Sequence, residues 1–279
     1  MSAWDNYAAR ISAKGGTRRG AALLREKRTL INKIPNNLSY QTVTVYDKDH
    51  GYNIDREKIA AGAFEQNIAV INSDNLNEKY VFSIPGEDIR HGDLIYWMDN
   101  YWLVTERDAN TTVYTRGIMV QCNHLLKWVS DENIVCEQWC IIEDGTKYLT
   151  GEYEDRNFIA ARGDSRIAMT IARNDQTLKF TRDNRFLIDD PDSPRKLAYV
   201  LSKPLKLGWS FNQQGCYKFV LQEVNSTDND ELNRGIADFY KHFPKEISTE
   251  PEYNGGAATG NTGGTTTPDE STDGRGVWL

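Results

Sequence analysis

From residue 38 onward, apolar and polar side chains alternate over short runs that end at Asn, Asp, Gly or Pro. A period of two is what a strand produces when one face is buried and the other wet. The runs are rich in β-branched and aromatic residues and predict strands over 38–46, 68–72, 80–84, 93–97, 101–106, 112–128 and 134–142. The run at 112–128 is long for one strand and should bend or bulge once. Asp144-Gly145 is a tight-turn signal leading on to Tyr148. A second series is expected at 166–172, 178–180, 186–188, 198–201 and 217–224, parted by turns at Asn174-Asp175, Asp183-Asn184 and Asp189-Asp190-Pro191. Pro85-Gly86-Glu87 suits a type II turn, and Gly92 a further reversal before the next strand. Short strands at regular spacing point to a barrel or a sandwich.

The two ends follow other rules. Residues 14–34 read KGGTRRGAALLREKRTLINKI: Thr17 can cap a helix, and Ala21, Leu24, Arg28 and Ile31 recur at spacings of three and four. Pro35-Asn36-Asn37 should stop that helix. Residues 230–243 predict a second, short helix with Leu232, Ile236, Phe239 and Tyr240 on one face. Residues 253–276 hold Gly, Thr, Asn and Asp with almost nothing apolar, the composition of a flexible tail. It ends in Val277-Trp278-Leu279, which suits a neighbour's pocket or simply frays. The expected chain is therefore mainly β: a basic helical segment over 1–37, a barrel-like part over 38–147, a sandwich-like part with a terminal helix over 148–245, and a tail over 246–279. A single interrupted barrel remains the alternative to two β parts.

Composition narrows the function classes. A hydrophobic fraction of 39% in 279 residues can furnish a core without metal or disulfide staples. No apolar run approaches the roughly 20 residues of a membrane helix, and the N-terminus has no secretion-signal pattern, so use in a cytoplasm without membrane contact is expected. The net charge of −7 argues against general nucleic-acid affinity, although an acidic wall bordering DNA would keep the duplex from sticking. Residues 14–34 are the exception, with Lys14, Arg18, Arg19, Arg25, Lys27, Arg28 and Lys33 against Glu26 alone. Such a helix can dock on an acidic protein surface, touch phosphates, or pack on its own domain; its apolar residues favour protein docking.

Chemistry is sparse. Cys122, His124, Cys136 and Cys140 form a C-x-H…C-x3-C set that zinc could use if the strands pair, but the tight C-x2-C spacing is missing; with Cys216 the cysteines read as buried free thiols. Acidic pairs at Glu143-Asp144, in 152–155 and at Asp189-Asp190 sit at turn signals, and Asp189, Asp190 and Asp192 lack the glycine of an EF-hand loop. His50, His91, His124 and His242 are scattered, Gly15-Gly16 is no phosphate loop, and Arg162-Gly163-Asp164 is a chance tripeptide. No catalytic residue and no cofactor is expected.

The run GDLIYWMDNYWLVTERDANTTVYTRGIMVQCNHLLKW, with VINSDNLNEK, SIPGEDI, QWCIIEDGTKYLTGE, GDSRIAM, RFLIDD and LSKPLKLG, resembles the head-closure or head–tail connector proteins of tailed phages, many from Gram-positive gut bacteria. The match spans most of residues 1–245 and leaves out the tail. The resemblance implies a non-enzymatic virion protein, assembled in the host cytoplasm, that forms a ring of about six or about twelve copies in the neck. Its partners would be portal or adaptor and tail proteins, with packaged DNA passing through or abutting the ring. Besides Arg18, Arg19, Arg25, Lys27, Arg28 and Trp278, the aromatic hairpin with Trp97, Tyr101 and Trp102 would supply contact area. The alternatives are a tail-proximal or minor capsid component, and a carbohydrate-binding or hydrolytic virion module.

Overall fold

The structure, a computed structural model, describes residues 3–46, 63–108, 113–144, 166–190, 193, 196–206, 210–211 and 214–244. Two helices open the chain, α1 (Ala3–Ala13) and α2 (Arg18–Lys33), followed by a 3₁₀ turn over Ile34–Asn36 that takes in Pro35. Everything that follows is dominated by strands: β1 (Tyr40–Tyr46), β2 (Ala63–Asn72), β3 (Glu78–Ser83), β4 (Leu94–Trp97), β5 (Asn100–Arg107) and β6 (Arg116–Gln121) come first. They are joined antiparallel in the order β1-β2-β3-β6-β5-β4, and β1 also pairs with β4, so the sheet closes on itself. Closure leaves no strand edge unpaired. The alternation read from sequence is what fills it: Val43 and Val45 on β1, Ile68 and Val70 on β2 and Met119 on β6 point inward.

The remaining strands are β7 (His124–Val129), β8 (Val135–Asp144), β9 (Arg166–Ala172), β10 (Arg185–Leu187), β11 (Ala198–Leu205), β12 (Ser210–Phe211) and β13 (Gln214–Val224). They form a second antiparallel sheet in the order β10-β11-β13-β9-β8-β7, with β12 a short hairpin partner of β13. This sheet curls until its edge strands share one core, where Leu126 and Trp128 of β7 meet Phe186 of β10 around Phe180 and Phe219. The molecule is thus mainly β, with two barrel-like sheets and few short helices.

A third apolar cluster joins the two sheets. Leu94 and Leu103 from the barrel pack with Ile141, Ala172 and Cys216 from the second sheet, and Tyr101 stacks on Trp139 with ring centroids 4.8 Å apart and planes at 17°. The backbones also meet closely. Gly92 has φ +97°, and a Cβ there would lie 2.5 Å from the Gly215 carbonyl oxygen, so only glycine fits.

Several expectations need correction. The run 112–128 is two strands in two sheets, and the change of sheet falls at Cys122-Asn123, so β7 and β8 pair with the second sheet and not with the barrel they were assigned to. Asn123 hides the break: its side-chain amide accepts from Ile142 N and donates to Ile142 O, both at 2.8 Å, imitating a strand residue. The expected strand at 178–180 begins instead in a short helix, α3 (Asp175–Leu178), because Asn174 and Thr177 form a reciprocal capping box. The expected helix over 230–243 is helical only in α4 (Phe239–His242). Its first half is drawn into a turn by Arg185, which reaches across to Asp230 and Asp238 at 2.9 Å each. Helix α1 and strand β12 were not foreseen. The helix over 14–34 stands as α2, capped by Thr17, whose hydroxyl accepts from Gly20 N at 3.0 Å. Pro85-Gly86 makes the expected turn, with Gly86 at φ +109° and Glu87 N donating to Ile84 O. The Asp144-Gly145 turn, residues 152–155, Arg162-Gly163-Asp164, Asp192, His50 and the tail with Trp278 lie outside the described residues.

Candidate assembly surfaces

The N-terminal helices form an arm with no core of its own. In α1, Trp4, Tyr7 and Ile11 lie three and four apart on one stripe and are exposed, Trp4 by 78%. No residue of α2 is buried, and Leu24 and Ile31 are open to solvent on the stripe that also carries Arg28. Arg18, Arg19, Arg25 and Arg28 are exposed and Lys27 is half-buried. Residues 1–37 hold eight Lys and Arg against two Asp and Glu, leaving 25 against 38 for the rest of the chain. Lone helices of this length are marginal in water, so a strip this apolar and this basic is suited to a surface that supplies the missing contacts.

The aromatic hairpin is used differently from the expectation. Trp102 is buried in the barrel core at 5% exposure, and Trp97 packs on it with ring centroids 5.6 Å apart while its indole N–H donates to Gln41 Oε1. Tyr101 is spent on the stack with Trp139 between the sheets. These three rings help hold the fold, Trp102 buried and Trp97 and Tyr101 half-buried. The exposed part of the hairpin is its tip, where Met98 (φ +47°, 64% exposed) and Asp99 (φ +59°) make a two-residue turn in left-handed backbone.

The cysteines are likewise interior. Cys140 faces the second-sheet core opposite His124, with its thiol directed at the His124 carbonyl oxygen, and Cys136 stands opposite Trp128 on the same strand. Cys122 belongs to the cluster between the sheets. Among the described residues, no three His, Cys, Asp or Glu side chains gather so as to hold a metal. Burial pushes the Cys136 thiol up to about 11 and also raises Cys122, Cys140 and Cys216, while burial lowers His124. These directions describe inert thiols and a neutral imidazole. Of the acidic pairs, Asp189 serves a turn, its carboxylate accepting from Asp190 N and Ser193 Oγ.

Sequence reasoning missed one feature outright. A cleft of about 300 Å³ opens beside the barrel, lined by Phe64, Glu65 and Gln66 of β2 and by Glu87, Asp88, Arg90 and Asp93 of the β3–β4 connection. Arg107 pairs with Asp88 at 2.8 Å, Thr115 Oγ1 donates to Asp88 at 2.8 Å, and Arg90 N donates to Asp93 at 2.8 Å. Gln66 is 94% buried; its Nε2 donates to Asp88 O, whereas its Oε1 has no donor. The buried Oε2 of Glu87 has none either. The signal was divided between Glu65-Gln66 and Glu87-Asp88, 22 residues apart for the Gln66–Asp88 bond, and only barrel closure brings the halves together.

Among the described residues, no helix is long and apolar enough to cross a membrane. Nothing among the curated proteins or the solved structures matches the chain. Residues 27–121 match the family model of the YomX N-terminal domain. The match, about a third of the chain, runs from the second half of α2 through the last barrel strand and stops where the chain changes sheet. That domain is phage-derived, so the closed barrel with its entering helix is similar to a phage domain, which is consistent with a phage protein.

Proposed function

We propose that this chain is a non-enzymatic structural protein of a tailed-phage virion, assembling as a cyclic ring in the neck between the portal or adaptor and the tail. The observation that carries the reading is the basic amphipathic arm, with no buried residue in α2, set on an acidic β body that has cores of its own. An arm of this kind gains its stabilising contacts by lying on another chain, and a cyclic assembly satisfies every arm without leaving an open end. The similarity of the barrel to a phage-derived domain and the resemblance of the sequence to head-closure and connector proteins support the same reading. Packaged DNA would pass an acidic wall that repels it, with no sequence-specific contact.

Two measurements test this. Mass photometry of the purified chain, with and without the cognate portal protein, should give closed assemblies of about six or about twelve copies. Cryo-microscopy of the virion should place those copies at the neck. Absence from mature particles, or a purified chain that hydrolyses glycans, refutes the reading.

A further inference from the structure

We propose that the acidic cleft beside the barrel receives Arg28 from the N-terminal arm of a second copy of this chain. The proposal rests on the ring reading above and names the contact that would build the ring.

The cleft sets four carboxylates, those of Glu65, Glu87, Asp88 and Asp93, against the guanidiniums of Arg90 and Arg107. Asp88 is already paired with Arg107 and with Thr115, and Asp93 accepts from Arg90 N. Glu65 and Glu87 have no ion-pair partner among the described residues, and Glu87 Oε2 and Gln66 Oε1 are buried acceptors with no donor. Buried acceptors without donors are rare in folded proteins, and two of them in residues that line one cleft mark a place where an incoming N–H group is needed. A guanidinium fits best, because it carries five donors in a rigid plane and sheds water more readily than an ammonium.

The arm carries that group. Arg28 lies between Leu24 and Ile31 on one face of α2 at spacings of four and three, and both apolar neighbours are exposed. At the cleft, Phe64 is 47% exposed and offers apolar surface of the same scale beside the carboxylates. The net charges oppose each other, eight basic against two acidic residues in 1–37 and 25 against 38 elsewhere. Helix α2 is about 24 Å long at 1.5 Å per residue, enough to reach an adjacent subunit. Its own chain leaves this face open, since Leu24, Arg28 and Ile31 are all exposed. One copy's arm in the next copy's cleft is a head-to-tail contact, the kind that closes rings.

The test is charge reversal with rescue on the full chain, read by analytical ultracentrifugation. Arg28→Glu, on an exposed helix face where folding is not at stake, should weaken self-association about tenfold or more, the scale of one close interfacial charge pair. Glu65→Arg should do the same, and the two together in one chain should restore association. A cysteine pair, Arg28→Cys with Glu65→Cys, should oxidise into a disulfide between copies, because the four native thiols are buried. Association unchanged by either reversal, failure of the double variant to rescue, or a disulfide formed only within one chain overturns the proposal. So does a loss of duplex-DNA binding by Arg28→Glu with self-association intact, which would assign the arm to phosphate. Rings indifferent to the reversals sink this contact and leave the neck reading standing; reversal-sensitive assemblies missing from virions do the opposite.

Discussion

Arg185 is the place where a single substitution should tell most about how the second sheet holds its C-terminal segment. Its Nη1 donates to Thr227 Oγ1, Asp230 Oδ1 and Asp238 Oδ1 at 2.8, 3.0 and 2.9 Å, and Nη2 to Asn225 O and Asp230 Oδ2 at 3.0 and 2.9 Å. The Asp230 side chain is fully buried, and that of Arg185 is 13% exposed. Arg185→Met keeps the aliphatic stem and removes every donor, leaving a buried carboxylate with only the backbone N–H groups of Thr227 and Asp238. Breaking a buried pair by removing one partner costs about 3–5 kcal/mol; with two N–H bonds surviving, the lower end, about 3 kcal/mol, is expected. Adding Asp230→Asn should recover at least about 1 kcal/mol, because the stranded charge is gone. The acid limb carries a sign. Burial raises the Asp230 carboxyl, but hydrogen bonds from Asp238, Thr227 and Arg185 outweigh it and hold it below the ordinary 3.8. In the native chain this stabilisation is complete above pH 3.8 and fades as pH falls through the lowered value. Without Arg185 the carboxyl moves upward, protonation relieves the buried charge, and the cost of Arg185→Met should shrink on acidification. Urea unfolding at fixed protein concentration, followed by near-UV circular dichroism between pH 7 and pH 3, measures all of this. A cost below about 1 kcal/mol, or one independent of pH, refutes the account.

Four further outcomes are expected. Gly92→Ala should destabilise by at least about 2 kcal/mol in urea unfolding, since left-handed backbone and the Gly215 carbonyl both oppose a Cβ; a neutral result would mean the sheets separate there without cost. Met98→Asn at the hairpin tip should stabilise by about 1 kcal/mol and raise the melting temperature, because asparagine tolerates φ +47° and the methionine is 64% exposed, so little packing is lost; an unchanged or lower melting temperature counts against strain. Ellman's reagent at pH 8 should find no reactive thiol in the folded chain and four in denaturant, the Cys136 thiol being pushed to about 11 by burial. Burial also lowers His91 and His124, so stability should decline as pH falls below 6.5, where the unfolded imidazoles take protons that the folded ones resist, and His124→Gln should reduce that slope in chemical denaturation.

The strands were legible because burial on one face writes itself into alternation: Val43 and Val45, or Ile68 and Val70, sit inside the barrel as their spacing requires. What escaped depends on partners distant in the chain. Nothing near Asn123 marks the change of sheet, since its side chain completes a ladder with Ile142 that no short window contains. Residues 230–238 have helical spacing, yet an arginine 45 positions earlier claims Asp230 and bends the segment. Trp97 and Trp102 read as contact surface because composition gives the area of a ring and not its direction; strand pairing turned Trp102 inward. The basic arm was readable from charge and period alone, with the exception of α1, where Trp4, Tyr7 and Ile11 held the signal. The cleft was not readable, because its carboxylates become neighbours only when the barrel closes.

Only Cys122 and Asn123 separate β6 from β7, and the Gly92–Gly215 approach and the Tyr101–Trp139 stack pin the two sheets on either side of that splice. A hinge needs slack, and two residues already committed to packing and to a ladder provide none. A push on one sheet is therefore handed to the other as rotation of a whole body, so the angle between the two sheets is set during folding and is not adjusted afterwards.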